Sequence, residues 1–154
     1  MRLFGREKTP RGELDWCRAI GLGCNMRPQP LIAVHDVEAS SRWYQRLLGC
    51  TSAHGGKEYE RLVSNGTLIL QLHAFDAEHH HGRIGDPDKR PYGNGVLLWF
   101  EVDDFDAVMA RADKMGAEVY LDRHRNPGPR HWECWFRDPD GYVVVVASSD
   151  GSAI

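Results

Sequence analysis

The sequence predicts an α+β fold: paired βαβββ modules forming a curved mixed sheet cup with helices outside. Three observations predict it. Two stretches repeat one plan: an apolar run closed by Asp, a helical pattern, a Gly stop and a further strand-like run, at 31–51 and again at 96–119. Each stretch is followed by two more strand-like runs around a turn, Ser64-Asn65-Gly66 in the first and Arg137-Asp138-Pro139-Asp140-Gly141 in the second. Finally, one open four-stranded sheet with one helix closes no core alone. Two side by side do, and they leave a concave surface suited to a small molecule.

Each element has a local cause. The runs 31–37 and 96–103 are short, apolar and bounded, as buried strands are. Asp36 and Asp103 stand where a carboxylate caps the free amides of a helix start. Ala39, Trp43, Leu47 and Leu48 then fall on one helical face, and Phe105, Val108, Met109 and Ala112 on the other helix's face. Gly49 and Gly116 suit the left-handed residue that ends a helix. Residues 57–63 and 67–73 flank Asn-Gly, a strong hairpin signal. Residues 131–136 and 142–147 flank Asp-Pro-Asp-Gly, where Pro fixes φ and Gly takes the positive φ. A loop rich in Arg, Pro and Gly is expected at 122–130.

The 154 residues fit one domain. An N-terminal extension of unassigned role covers 1–28, with a weak helical pattern at 13–20. The domain covers 29–149: module 1 at 29–74, a linker at 75–95 and module 2 at 96–149. A formal net charge of −3 argues against a nucleic-acid or anionic-membrane binder. No apolar run is long enough to span a bilayer, and the charged start lacks the apolar stretch of a secretory signal. Cytoplasmic residence is the expectation. Cys17, Cys24, Cys50 and Cys134 include no C-x-x-C pair and read as reduced thiols.

The run Val34-His35-Asp36-Val37-Glu38-Ala39-Ser40-Ser41-Arg42-Trp43-Tyr44, continuing through Leu47-Leu48-Gly49, together with Arg137-Asp138-Pro139-Asp140-Gly141-Tyr142, resembles the vicinal oxygen chelate superfamily. That group holds glyoxalase I, extradiol dioxygenases, fosfomycin-resistance enzymes and bleomycin-resistance proteins. The resemblance covers about residues 29–149 and implies the fold more than the chemistry. In metal-dependent members the first and last strands of each module supply the ligands. Aligned on Asp36, Gly66, Asp103 and Gly141, those positions fall on Gln29, Gln71, Leu97 and Val145. Leu97 and Val145 have no donor atom, and two neutral amides hold a divalent ion poorly. No metal site and no cofactor is therefore expected. A divalent ion remains the disfavoured alternative.

Other residues carry candidate chemistry. Gln71 and His73 share a strand face by alternation, as do Leu97, Trp99 and Glu101, and as do His131, Glu133 and Trp135. Glu133 among aromatic neighbours is the weak candidate for a catalytic acid or base of raised pKa, with pairing to Arg125, Arg130 or Arg137 as the structural alternative. His79-His80-His81 in the linker reads as surface histidine, with a ligand-contact or metal role as the alternatives. The expected function is metal-independent binding of a small, partly apolar or aromatic molecule, in the manner of bleomycin-resistance proteins. Gln29, Gln71, His73, Leu97, Trp99, His131, Glu133, Trp135 and Val145 would line the cup. The alternative is a lyase or extradiol-dioxygenase-like enzyme with a displaced metal, so whether a bond is broken stays open. The resemblance further implies a homodimer.

Overall fold

In the computed structural model, residues 27–77 and 82–149 are described. Most of the N-terminal extension, with its helical pattern, Cys17 and Cys24, lies outside the described residues, as does the run His79-His80-His81.

The order of elements is β1 (Leu31–Val34), α1 (Val37–Leu48), β2 (Thr51–Ser52), β3 (Tyr59–Ser64), β4 (Thr67–Ala74), β5 (Leu97–Val102), α2 (Phe105–Met115), β6 (Glu118–Arg125), β7 (Trp132–Arg137) and β8 (Val143–Ser148). They form two open four-stranded mixed sheets, ordered β1-β4-β3-β2 and β5-β8-β7-β6. In each, the strand before the helix pairs in parallel with the last strand of its module. The expected paired βαβββ modules are thus present. Among the described residues, no helix is long and apolar enough to cross a membrane.

Both helices start on an aspartate and end on a left-handed glycine. Asp36 accepts the Ala39 amide, and Gly49 has φ 71°. The second cap is Asp104, which accepts the Ala107 amide, and not the expected Asp103. Either carboxylate precedes the apolar pattern, but only the residue three before Ala107 meets the capping geometry. The buried face of α1 also differs. It is Val37, Ser40, Ser41, Tyr44 and Leu47, while Ala39 and Trp43 are half-buried. Polar partners on other elements explain the rotation. Ser41 Oγ donates to Glu60 at 3.1 Å, and Tyr44 OH donates to Asp138 at 2.8 Å. The face of α2 follows expectation, with Phe105, Val108 and Ala112 buried.

One apolar core runs through both modules, from Ile32, Val34, Leu70 and Leu72 to Leu98, Phe136, Val144 and Val146. Polar contacts lock the junction. Tyr142 OH donates to the Ala33 carbonyl at 2.9 Å, and Arg111 Nε donates to the Leu47 carbonyl at 2.9 Å. His35 lies 2.5 Å from Asp140 through Nδ1 and donates its backbone N–H to the same carboxylate. Since one face of each sheet carries its helix, the other face is free of helix among the described residues.

The expected loop at 122–130 is shorter than read. β6 continues to Arg125, so the loop begins at Asn126. The cause is hairpin pairing: His124 pairs with Glu133, Arg125 with Trp132, and the Asn126 amide donates to the His131 carbonyl. Ladder bonds override the turn-forming composition of that stretch.

Candidate functional site

Alternation sorts β8 cleanly. Val144 and Val146 enter the core, so Val145 and Ala147 point to the helix-free face. The register then sets two rows across that face. One is Trp99, Val145, Trp135 and Leu121; the other is Glu101, Ala147, Glu133 and His124. Val145 is fully buried within its row, yet Leu97, Trp99 and Leu121 remain 42%, 43% and 43% exposed. Tyr120 stacks on Trp135 with centroids 6.3 Å apart, and the Arg137 guanidinium lies 4.4 Å over Tyr120. This is an aromatic and aliphatic surface open to solvent.

Glu133 sits at its polar end, 1% exposed. Each carboxylate oxygen meets two nitrogens. Oε1 takes Asn126 Nδ2 at 2.6 Å and His131 Nε2 at 2.7 Å. Oε2 takes Trp135 Nε1 at 2.9 Å and lies 3.5 Å from His124 Nε2. Burial alone would raise the Glu133 pKa. Hydrogen bonds from Trp135, Asn126 and His131 outweigh it and hold the carboxyl below its usual value. The expected raised pKa is therefore corrected. Its partners are also not Arg125, Arg130 or Arg137 but neutral and imidazole donors.

The fold fixes this cluster. Asn126 Oδ1 accepts the Gly128 amide at 3.0 Å, which turns its NH2 group toward Glu133. An ionised carboxylate only accepts, so the hydrogen between His131 and Glu133 belongs to Nε2. In the neutral ring, His131 Nδ1 then carries the free lone pair. It is buried and has no hydrogen-bond partner. An unmet buried acceptor costs about 1–3 kcal/mol, which marks the position for explanation. The ring packed beside it is Trp99, at 5.8 Å.

The first sheet carries the remaining candidates. Leu31, Gln71 and Arg61 form one row and Ala33, His73 and Tyr59 the next. Gln71 Oε1 accepts from Tyr59 OH at 2.5 Å, and its NH2 donates to the Gln29 carbonyl at 3.1 Å. The Gln71 amide is thus already engaged on both ends. His73 is 3% exposed, and its Nδ1 lies 2.8 Å from the Ala74 carbonyl. Leu97, Trp99, His131, Glu133, Trp135 and Val145 share one face of the second sheet, while Gln71 and His73 stand on the first.

The residues do not fit the superfamily's divalent ion. Leu97 and Val145 offer no donor, and Gln71 has its amide bound to Tyr59 and Gln29. Among the described residues, no group of three His, Cys, Asp or Glu side chains is arranged to hold a metal ion.

Sequence reasoning missed His124, Asn126, Tyr59 and Tyr120. A signal existed for two of them. A hairpin centred on Pro127-Gly128-Pro129-Arg130 places Asn126 opposite His131 and His124 opposite Glu133. Reading the strand as ending at Asp122 hid that symmetry.

The model of the Glyoxalase/Bleomycin resistance protein/Dioxygenase superfamily matches residues 27–146. The chain belongs to that superfamily. Among curated proteins, none matches it. Solved structures share its fold at low identity. A lactoylglutathione lyase from Agrobacterium tumefaciens is 18% identical with a TM-score of 0.61, over 84% of this chain and 98% of that one. TioX from Micromonospora sp. ML1 is 16% identical with a TM-score of 0.63, over 80% and 98%. A glyoxalase-related enzyme from Fulvimarina pelagi is 19% identical with a TM-score of 0.63, over 81% and 88%.

Proposed function

We propose that this superfamily member is a receptor for a small, partly aromatic molecule, which it binds without a divalent ion on the helix-free face of the second sheet. One observation carries the reading. Leu97, Trp99 and Leu121 stay close to half exposed on a face whose neighbouring Val145 is fully buried. Ligand sites join apolar walls to a few placed polar groups, and this strip adjoins the Glu133 cluster. The ring faces of Trp99 and Trp135 supply stacking area, and the donor-poor corners at Leu97 and Val145 favour binding over metal chemistry. A homodimer is part of the proposal, and sizing chromatography is its check.

The test uses 4-nitroanisole as a planar aromatic probe in equilibrium dialysis. Trp99→Ala should lower its affinity on the order of tenfold, since a lost stacking surface is worth roughly 1 kcal/mol or more. Equal affinity in the variant overturns the assignment. Metal analysis of protein purified without an affinity tag tests the other half. Stoichiometric, tightly held Ni, Zn, Fe or Mn would restore the lyase or dioxygenase reading.

A further inference from the structure

We propose that His131 is the proton acceptor of this face and that its ligand is a planar aromatic weak acid, one bearing an acidic O–H or N–H. The inference rests on the receptor reading above and names the ligand class that reading leaves open.

Three observations converge on it. Glu133 fixes the neutral ring's tautomer through the 2.7 Å bond to Nε2, so in that form Nδ1 carries the lone pair. That nitrogen is buried without a partner in a residue 6% exposed. Trp99, the half-exposed ring 5.8 Å away, is the surface on which an aromatic ligand stacks, and a turn of that ring opens the way to Nδ1. A carboxylate behind an imidazole, with the far nitrogen free, is the arrangement that orients a base and stabilises the imidazolium it becomes.

The step balances without a co-reactant. The ligand's O–H bond breaks and an N–H bond forms at Nδ1, while the electron pair stays on the ligand oxygen. The imidazolium then donates Nδ1–H to the ligand anion and Nε2–H to Glu133. The titratable groups around it are Glu133 and His124 in the same cluster and Glu101, exposed, two strands away in the Glu133 row. Asn126 and Trp135 hold Glu133 ionised, which keeps the counter-charge in place.

The experiment compares 4-nitrophenol with 4-nitroanisole, the same ring without the acidic hydrogen. At a pH below the free phenol's midpoint, the wild type should bind the phenol on the order of tenfold tighter than the anisole. The bound phenol should show the yellow phenolate band. His131→Gln keeps an N–H for Glu133 but has no ring base. It should bind both probes alike and show no band. Nitrogen-15 NMR of the wild-type imidazole needs no variant: Nδ1 should be unprotonated in free protein and protonated with 4-nitrophenol bound. Equal binding of both probes by the wild type, or a phenolate band that survives in His131→Gln, overturns the proton acceptor and leaves the receptor standing. Binding of neither probe removes both.

Discussion

Glu133 shows how one buried charge organises a surface. Two nitrogens meet each of its oxygens, and the hydrogen-bond donors Asn126, His131 and Trp135 include neither lysine nor arginine. Replacing it with Gln turns one acceptor oxygen into an NH2 group that faces two other donors. Glu133→Gln should therefore destabilise the fold by about 2–3 kcal/mol, read from urea unfolding, because a buried polar group then lacks its match. A neutral result would mean that water, and not the protein, satisfies the carboxylate. Gly93 is a second position where a single atom decides. Its φ is +62°, and an added Cβ would stand 2.8 Å from Tyr142 Cδ1. Tyr142 is the ring whose hydroxyl binds the Ala33 carbonyl across the module junction. Gly93→Ala should cost about 1–3 kcal/mol through strain and the displaced ring. An unchanged unfolding midpoint would show that Tyr142 moves freely.

At the scale of elements, the caps give a direct comparison. Asp36→Ala and Asp104→Ala should each cost about 1 kcal/mol of stability, and Asp103→Ala close to none. Equal losses at Asp103 and Asp104 would contradict the assigned cap. The same elements show what the chain makes legible. The repeat, both glycine stops and both turns follow from local chemistry and are read directly. The cap in Asp103-Asp104 is not, because two adjacent carboxylates satisfy one composition rule and only hydrogen-bond geometry separates them. The buried face of α1 is not legible for a different reason. Tyr44 and Ser41 are buried by partners at Asp138 and Glu60, far along the chain, and periodicity carries no information about those. For the site, alternation groups Leu97 with Trp99 and His131 with Glu133 and Trp135. It omits His124 and Asn126, since cross-strand partners depend on where the hairpin turns. It also says nothing of the sign of the Glu133 shift, which depends on donors from three separate residues.

At the scale of the whole molecule, two buried carboxylates pull the pH dependence of stability in opposite directions. Asp138 lies at the junction, 4% exposed, and burial pushes its carboxyl up to about 6, despite bonds from Tyr44 and from the amides of Tyr142 and Asp140. Its value in the unfolded chain is about 3.9. The folded state therefore keeps this proton longer. The resulting contribution to stability is fully present below about pH 4 and is lost as pH rises through about 6. At about 1.4 kcal/mol per unit, the loss amounts to roughly 3 kcal/mol. Glu60 behaves in reverse. Burial would raise its carboxyl, but bonds from Ser52 and from the amides of Gly55, Arg61 and His54 bring it down to about 2. Its contribution is present above about pH 4.3 and is lost as pH falls toward 2. With these two groups opposed, stability should peak between about pH 4 and 5, below the usual near-neutral optimum. Urea unfolding across that range checks it: Asp138→Asn should flatten the decline between pH 4 and 7, and Glu60→Gln the decline below pH 4. Because one core joins both modules, each substitution should shift a single transition. A decline between pH 4 and 7 that persists unchanged in Asp138→Asn would move the origin of the effect away from the junction.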